Sequence, residues 1–158
     1  MRKGMLAGIS LVAGFVGGAA TVKIGRKWLE SATRKEVAFY RNCYHIMNQW
    51  MLLKQDGTSL EKYFEQKGYR SIAIYGMGRM GVMLYEDLKD SHIQVKYGID
   101  QDISCTYSGL NIIQPEDTLD KVDVIIVTPF SIFDEIKELL SEKTDIPVVS
   151  IEEMIYEV

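Results

Sequence analysis

The sequence predicts an α/β fold: a small doubly wound parallel sheet of five strands in the order 3-2-1-4-5, preceded by a transmembrane helix and a helical connector. Three observations predict it. Residues 72–81, IAIYGMGRMG, are an apolar run that closes in three glycines at GxGxxG spacing, with a helical pattern behind them. Residues 123–128, DVIIVT, form a near-continuous apolar run, as a central strand buried on both faces does. Strand-like and helix-like segments then alternate to the C-terminus, and right-handed crossovers make such a chain a parallel sheet.

The bulk numbers set the frame. A chain of 158 residues holds one domain plus something small. Its 47% apolar content supports a core, and 25% charged residues is ordinary for a globular chain. A net charge of −4, with no basic stripe interleaved with aromatics, argues against a general nucleic-acid binder. Cys43 and Cys105 lie far apart with no CxxC, and read as free thiols in a reducing compartment. No spacing of His, Cys and carboxylates suggests a metal. His45 and His92 read as surface or satisfied side chains.

The first division is residues 1–30. From Gly4 to Val22 no residue is charged, a stretch of 19. As a helix it would measure about 28 Å, close to the thickness of a bilayer core. Arg2 and Lys3 precede it, and Lys23, Arg26, Lys27, Arg34 and Lys35 follow. That basic excess favours an uncleaved single-pass anchor with the folded part in the cytoplasm. A signal peptide cleaved near Gly18 and Ala20 is the rival reading. Gly4 with Gly8, and Gly14 with Gly18, are GxxxG pairs through which two spans would approach closely.

The second division, residues 31–68, is a helical connector. Residues 31–54 lack Pro and Gly, and Val37, Tyr40, Tyr44, Met47 and Met51 recur at intervals of three and four. Phe39, Ile46, Trp50 and Leu53 widen this apolar face. It must bury against the sheet, a copy of itself or a partner protein. Gly57 ends the helix. Thr58 and Glu61 then have capping-box spacing for a short helix over 59–66, which Gly68 closes.

The third division, residues 69–158, is the sheet domain. Strand one is expected over Ser71–Tyr75, a helix over 79–90, and strand two over Gln94–Ile99. A third strand follows over 109–113, and a helical turn over 115–119. Strand four spans 123–128, a helix 132–143, strand five 148–151, and a closing turn 152–156.

The candidate binding loop is Gly76, Met77, Gly78, Arg79, Met80 and Gly81. In this context Gly76 allows the tight turn out of the strand. Gly78 lets a phosphate approach the backbone, and Gly81 lets the helix pack closely on the sheet. The helix N-terminus offers unpaired N–H groups and a positive dipole end. Asp100 lies 19 residues past Gly81. There an acid accepts hydrogen bonds from a ribose 2′-OH and repels a 2′-phosphate. Alternatively, Asp100 caps the turn after strand two. The crevice is expected between strands one and four, where the strand order reverses, with Thr128, Pro129 and Phe130 across it from the glycines and with Thr128 and Pro129 as further cofactor-binding candidates.

Residues from about 53 to 158 also resemble the Rossmann-like domains of bacterial surface-polysaccharide loci, described as sugar-nucleotide epimerase-like or nucleoside-diphosphate-sugar-binding. The stretches that carry the resemblance are LEKYFEQKGYRSIAIYGMGRMG, YGID, SGLNIIQPEDTL, VDVIIVT and VVSIEEMI. The layout is similar to the N-terminal nucleotide-sugar-binding domain of some sugar acetyltransferases. The resemblance implies NAD or a nucleotide sugar as ligand, with Gly76, Gly78, Gly81 and Asp100 as contacts.

Catalysis is less well supported. Tyr85 and Lys89 have the Tyr-x-x-x-Lys spacing of short-chain epimerases and reductases, but on the first helix after the glycines, which is the wrong place. No second domain is expected after strand five to hold a substrate. Three readings follow. One is a membrane-anchored nucleotide or nucleotide-sugar module serving a partner enzyme of cell-surface polysaccharide synthesis. Another is an NAD-dependent oxidoreductase or epimerase completed by a partner chain. The last is a degenerate domain acting only as an assembly surface.

Overall fold

A computed structural model of the chain describes residues 33–103 and 109–158. The expected membrane span lies outside these residues. Among the described residues no helix is long and apolar enough to cross a membrane. The described residues fall into two units that divide between Tyr44 and His45.

Helix α1 covers residues 33–55 and ends at Gly57, whose φ of +69° is the left-handed conformation that glycine adopts without strain. Its residues beyond His45 belong to the larger unit. There follow α2 (Glu61–Lys67), β1 (Ser71–Tyr75), α3 (Arg79–Leu88), β2 (Gln94–Ile99) and β3 (Ile112–Ile113). Next come β4 (Val124–Val127), a single 3-10 turn (Phe130–Ile132), α4 (Phe133–Ser141), β5 (Val148–Ser150) and α5 (Ile151–Tyr156).

The strands form one five-stranded sheet in the order β3-β2-β1-β4-β5, and every pairing is parallel. This is the architecture that the alternating pattern predicts. Side chains alternate across the strands, so two cores form. Ile72, Ile74, Val124 and Ile126 point to one face, where α1 brings Ile46, Trp50 and Leu53. On that face α2 adds Tyr63 and Phe64, α3 adds Leu84 and Leu88, and α5 adds Ile151, Met154 and Ile155. Ala73, Tyr75, Ile125 and Val127 point to the other face, which α4 covers with Ile136 and Leu140. The second half of the connector is therefore part of the sheet domain's core.

Several local expectations change. β3 is only two residues long, because pairing with β2 is limited to Gly98 with Ile112 and Ile99 with Ile113. The helical turn expected over 115–119 is cut down to one turn, in which the Asp117 N–H donates to the Gln114 carbonyl at 3.1 Å. Asp117 folds its carboxylate back to accept the Gln114 N–H at 2.8 Å, the side-chain-to-backbone bond that competes with a helix. The Thr58 capping box is also absent. Ser59 Oγ accepts the Glu61 N–H at 3.2 Å, while the Glu61 carboxylate accepts the His92 N–H at 2.7 Å. Glu61 thereby ties the start of α2 to the segment entering β2.

The same end of the sheet, where β1 and β4 begin, is pinned by Asp123. Its Oδ2 accepts the N–H groups of Arg70 and Ser71, both at 2.8 Å, and the Ser71 hydroxyl at 3.0 Å. These donors hold its carboxyl below the ordinary value of 3.8. A depressed value in the folded state makes this stabilisation fully present above the ordinary carboxylate range. It is lost as pH falls through the folded value. Asp123→Asn is expected to cost about 1 kcal/mol at neutral pH, after allowance for solvent screening at this exposed position. Urea unfolding should show the gap between wild type and variant closing below the ordinary carboxylate value. A gap constant with pH would mean that the carboxylate charge contributes nothing.

Candidate functional site

The glycine loop leaves the C-terminal end of β1 beside the point where the strand order reverses. Gly76 has a φ of +88°, which turns the chain sharply out of the strand. A Cβ at Gly76 would lie 2.6 Å from the Pro129 ring and 2.9 Å from Thr128 Oγ1. Thr128 Oγ1 donates to the Gly76 carbonyl at 2.6 Å, and the Thr128 N–H to the Tyr75 carbonyl at 2.9 Å. Thr128 is buried. Thr128 and Pro129 thus touch the loop directly and buttress its first turn, where the sequence led one to expect them across a crevice from it.

Met77 is buried, and its side chain rests on Gly98 of β2. A Cβ at Gly98 would come within 2.8 Å of Met77 Cγ and 2.7 Å of Ile112 Cδ1. Sequence reasoning passed over Gly98 as one more strand residue. An isolated glycine within a strand pattern does signal close approach of another group, and that signal was present. The Met77 N–H donates to Asp100 Oδ2 at 2.6 Å, and the Asp102 N–H to Asp100 Oδ1 at 3.0 Å. Asp100 therefore braces the loop and shapes the turn after β2. Each of its oxygens keeps a lone pair for one further donor. Nearby Tyr75 has its hydroxyl pushed above its ordinary value, chiefly by burial and then by the charges of Asp100 and Glu116.

Gly78 differs from its two neighbours in the motif. It is exposed, it is the N-cap of α3, and a Cβ built on it meets nothing within 4 Å. Gly81, in contrast, sits against the Gly76 carbonyl group and Ile74, and is what lets α3 start so close to β1. No side chain caps α3, and its first turn carries no acid; instead it opens with the exposed Arg79 and the half-buried Met80. α4 and α5 each place two carboxylates in their first turns: Asp134 and Glu135, and Glu152 and Glu153. Those negative charges already answer the positive ends of their helices. Among the described residues the first turn of α3 has no such acid, and the carboxylate beside its start is Asp100, which accepts the Met77 N–H. A helix start leaves its first N–H groups without partners inside the helix, and here the exposed Arg79 stands in that first turn. That chemistry suits an anion such as a phosphate.

Tyr85 and Lys89 stand toward the far end of α3, which is about 15 Å long. Lys89 pairs with Glu86 at 2.6 Å. The pair has no place beside the glycine loop. Among the described residues, no group of three or more His, Cys, Asp or Glu side chains is arranged to hold a metal ion. Comparison with family models, curated proteins and solved structures finds no match to this chain.

Proposed function

We propose that the chain is a nucleotide-binding module that takes a ribose-bearing diphosphate, NAD or a nucleotide sugar. It is held at the membrane by residues 1–30, with the folded part in the cytoplasm, and serves a partner enzyme of cell-surface polysaccharide synthesis. One observation carries the reading: the open space over Gly78 at the head of a helix whose first turn holds Arg79 and no carboxylate. In this reading the α3 N-terminus and Arg79 take the diphosphate. Asp100 takes the ribose hydroxyls with the lone pairs that Met77 and Asp102 leave. Thr128 and Pro129 hold Gly76 in its turn and touch no ligand.

The test is thermal unfolding of the full chain in detergent with NAD, NADP, UDP, UDP-sugars or coenzyme A added separately. A ligand at 100 times its dissociation constant adds about 2.7 kcal/mol of stability. The expected result is a shift with at least one ribose diphosphate that Gly78→Val abolishes. Asp100→Asn keeps an acceptor for Met77 and removes the charge, so it should narrow any preference for NAD over NADP. No shift with any of these compounds would overturn the reading. Turnover of a nucleotide sugar by the chain alone would replace a module with an enzyme.

A further inference from the structure

Tyr75 ends β1 at the point where the strand order reverses. It pairs with Ile99 of β2 on one side and with Val127 of β4 on the other. Its ring packs in the core on the α4 face of the sheet, and the residue is only 9% exposed. Yet its hydroxyl has no hydrogen-bond partner among the described residues. Among them no buried side-chain oxygen or nitrogen lacks a partner, so the Tyr75 oxygen opens at the surface rather than being sealed in.

Two carboxylates flank that opening. Asp100 follows Ile99 directly, and its N–H donates to the Ile113 carbonyl at 3.0 Å, which brings the end of β3 alongside. Glu116 stands exposed in the turn that follows β3, and Lys143 Nζ fixes that turn by donating to the Pro115 carbonyl at 2.7 Å. Neither acid has an ion pair among the described residues. Burial first, and then the charges of both acids, hold the Tyr75 hydroxyl in its protonated, donating form. The opening is thus a set of acceptors with one donor among them. A carboxylate only accepts, so a group bound here must donate, while the Tyr75 proton needs an acceptor. An ammonium group donates but cannot accept. An alcohol does both.

We propose that Tyr75 and Glu116 hold the 3′-hydroxyl of the ribose whose 2′-hydroxyl donates to Asp100, Tyr75 giving its proton to the 3′-oxygen and Glu116 accepting the 3′-proton. The inference rests on the nucleotide reading and adds a second exclusion to it. Asp100 repels a phosphate on the 2′-oxygen, and Glu116 repels one on the 3′-oxygen. The site therefore selects ribonucleotides with both hydroxyls free.

Calorimetry on the full chain in detergent tests it, with two pairs of probes that differ only by a 3′-phosphate: dephospho-coenzyme A against coenzyme A, and UDP against uridine 3′-phosphate 5′-diphosphate. At least one unphosphorylated member should bind, and its phosphorylated form at least about tenfold more weakly. Glu116→Gln keeps an acceptor and removes the charge, so it should shrink that ratio about fivefold. Tyr75→Phe should weaken the unphosphorylated member about fivefold. It should not lower the melting temperature of the ligand-free chain, because the hydroxyl bonds nothing there. A lower melting temperature with unchanged affinity would make Tyr75 a packing residue only, and overturns the proposal. Equal affinity within a pair, or a ratio that Glu116→Gln leaves unchanged, overturns it too, and each leaves the nucleotide reading standing. Binding of NAD or a UDP-sugar by a chain that takes neither unphosphorylated probe also overturns this proposal alone. No binding by any of these nucleotides overturns both.

Discussion

Gly81→Ala is expected to destabilise the domain by about 3 kcal/mol or more, a large part of the 5–15 kcal/mol typical of a folded domain. The new methyl group would fall well inside contact distance of the Gly76 carbonyl oxygen. It would also lie 3.1 Å from the carbonyl carbon and 3.4 Å from Ile74 Cγ2. The obstacle is backbone, and that backbone is fixed from behind by the 2.6 Å bond from Thr128 Oγ1. Relief means lifting α3 off the sheet, which withdraws Leu84 and Leu88 from the core. Intrinsic helix preference works the other way, favouring alanine by about 1 kcal/mol. A fall in the urea midpoint therefore reports the steric clash, and a rise would show that α3 does not sit this close. Gly78→Ala is the internal control. Its φ of −67° and open surroundings leave only the loss of a good N-cap residue, about 1 kcal/mol or less. Two glycines three residues apart in one motif should differ sharply in what they tolerate.

Trp50→Ala should cost about 3–5 kcal/mol, the usual range for emptying a large aromatic site. Trp50 is 2% exposed, and its Nε1 donates to Asp87 Oδ2 at 2.7 Å. Lys54 pairs with the other oxygen of the same carboxylate. Thus α1 is attached to α3 by packing and by a shared acid. Trp50→Phe keeps most of the packing and loses the donor, so it should cost about 1–2 kcal/mol. Denaturant unfolding measures both. A Trp50→Ala cost below about 1 kcal/mol would mean that the end of α1 is not part of the domain's core.

The features legible in the sequence were those encoded in neighbouring residues. The uninterrupted apolar runs over β1 and β4 could only be central strands, and Gly76, Gly78 and Gly81 fixed where α3 begins. Asp100 was found by its distance from the glycines. Its hydrogen bond to the Met77 N–H was not, because that depends on β2 lying beside β1 in one register. The β1–β2 pairing also slips between Ile72 and Ala73, so that Val95 and Tyr97 pair with consecutive residues of β1. No local pattern announces such a bulge. Met77 looked like a loop residue available to a ligand. Only the empty space over Gly98 explains why it is buried instead. The aromatic helix was ambiguous because one periodicity served two faces. Burial separates Ile46, Trp50 and Leu53 from Val37, Tyr40 and Tyr44.

The two outermost strands, β3 with two residues and β5 with three, flank inner strands of four to six. An open sheet invites growth by adding another chain's strand to its rim, and the invitation scales with the length of unpaired backbone on offer. Here that rim amounts to two residues of strand on one side and three on the other. The same brevity protects the protein from fibril-like stacking while its apolar strands are still assembling.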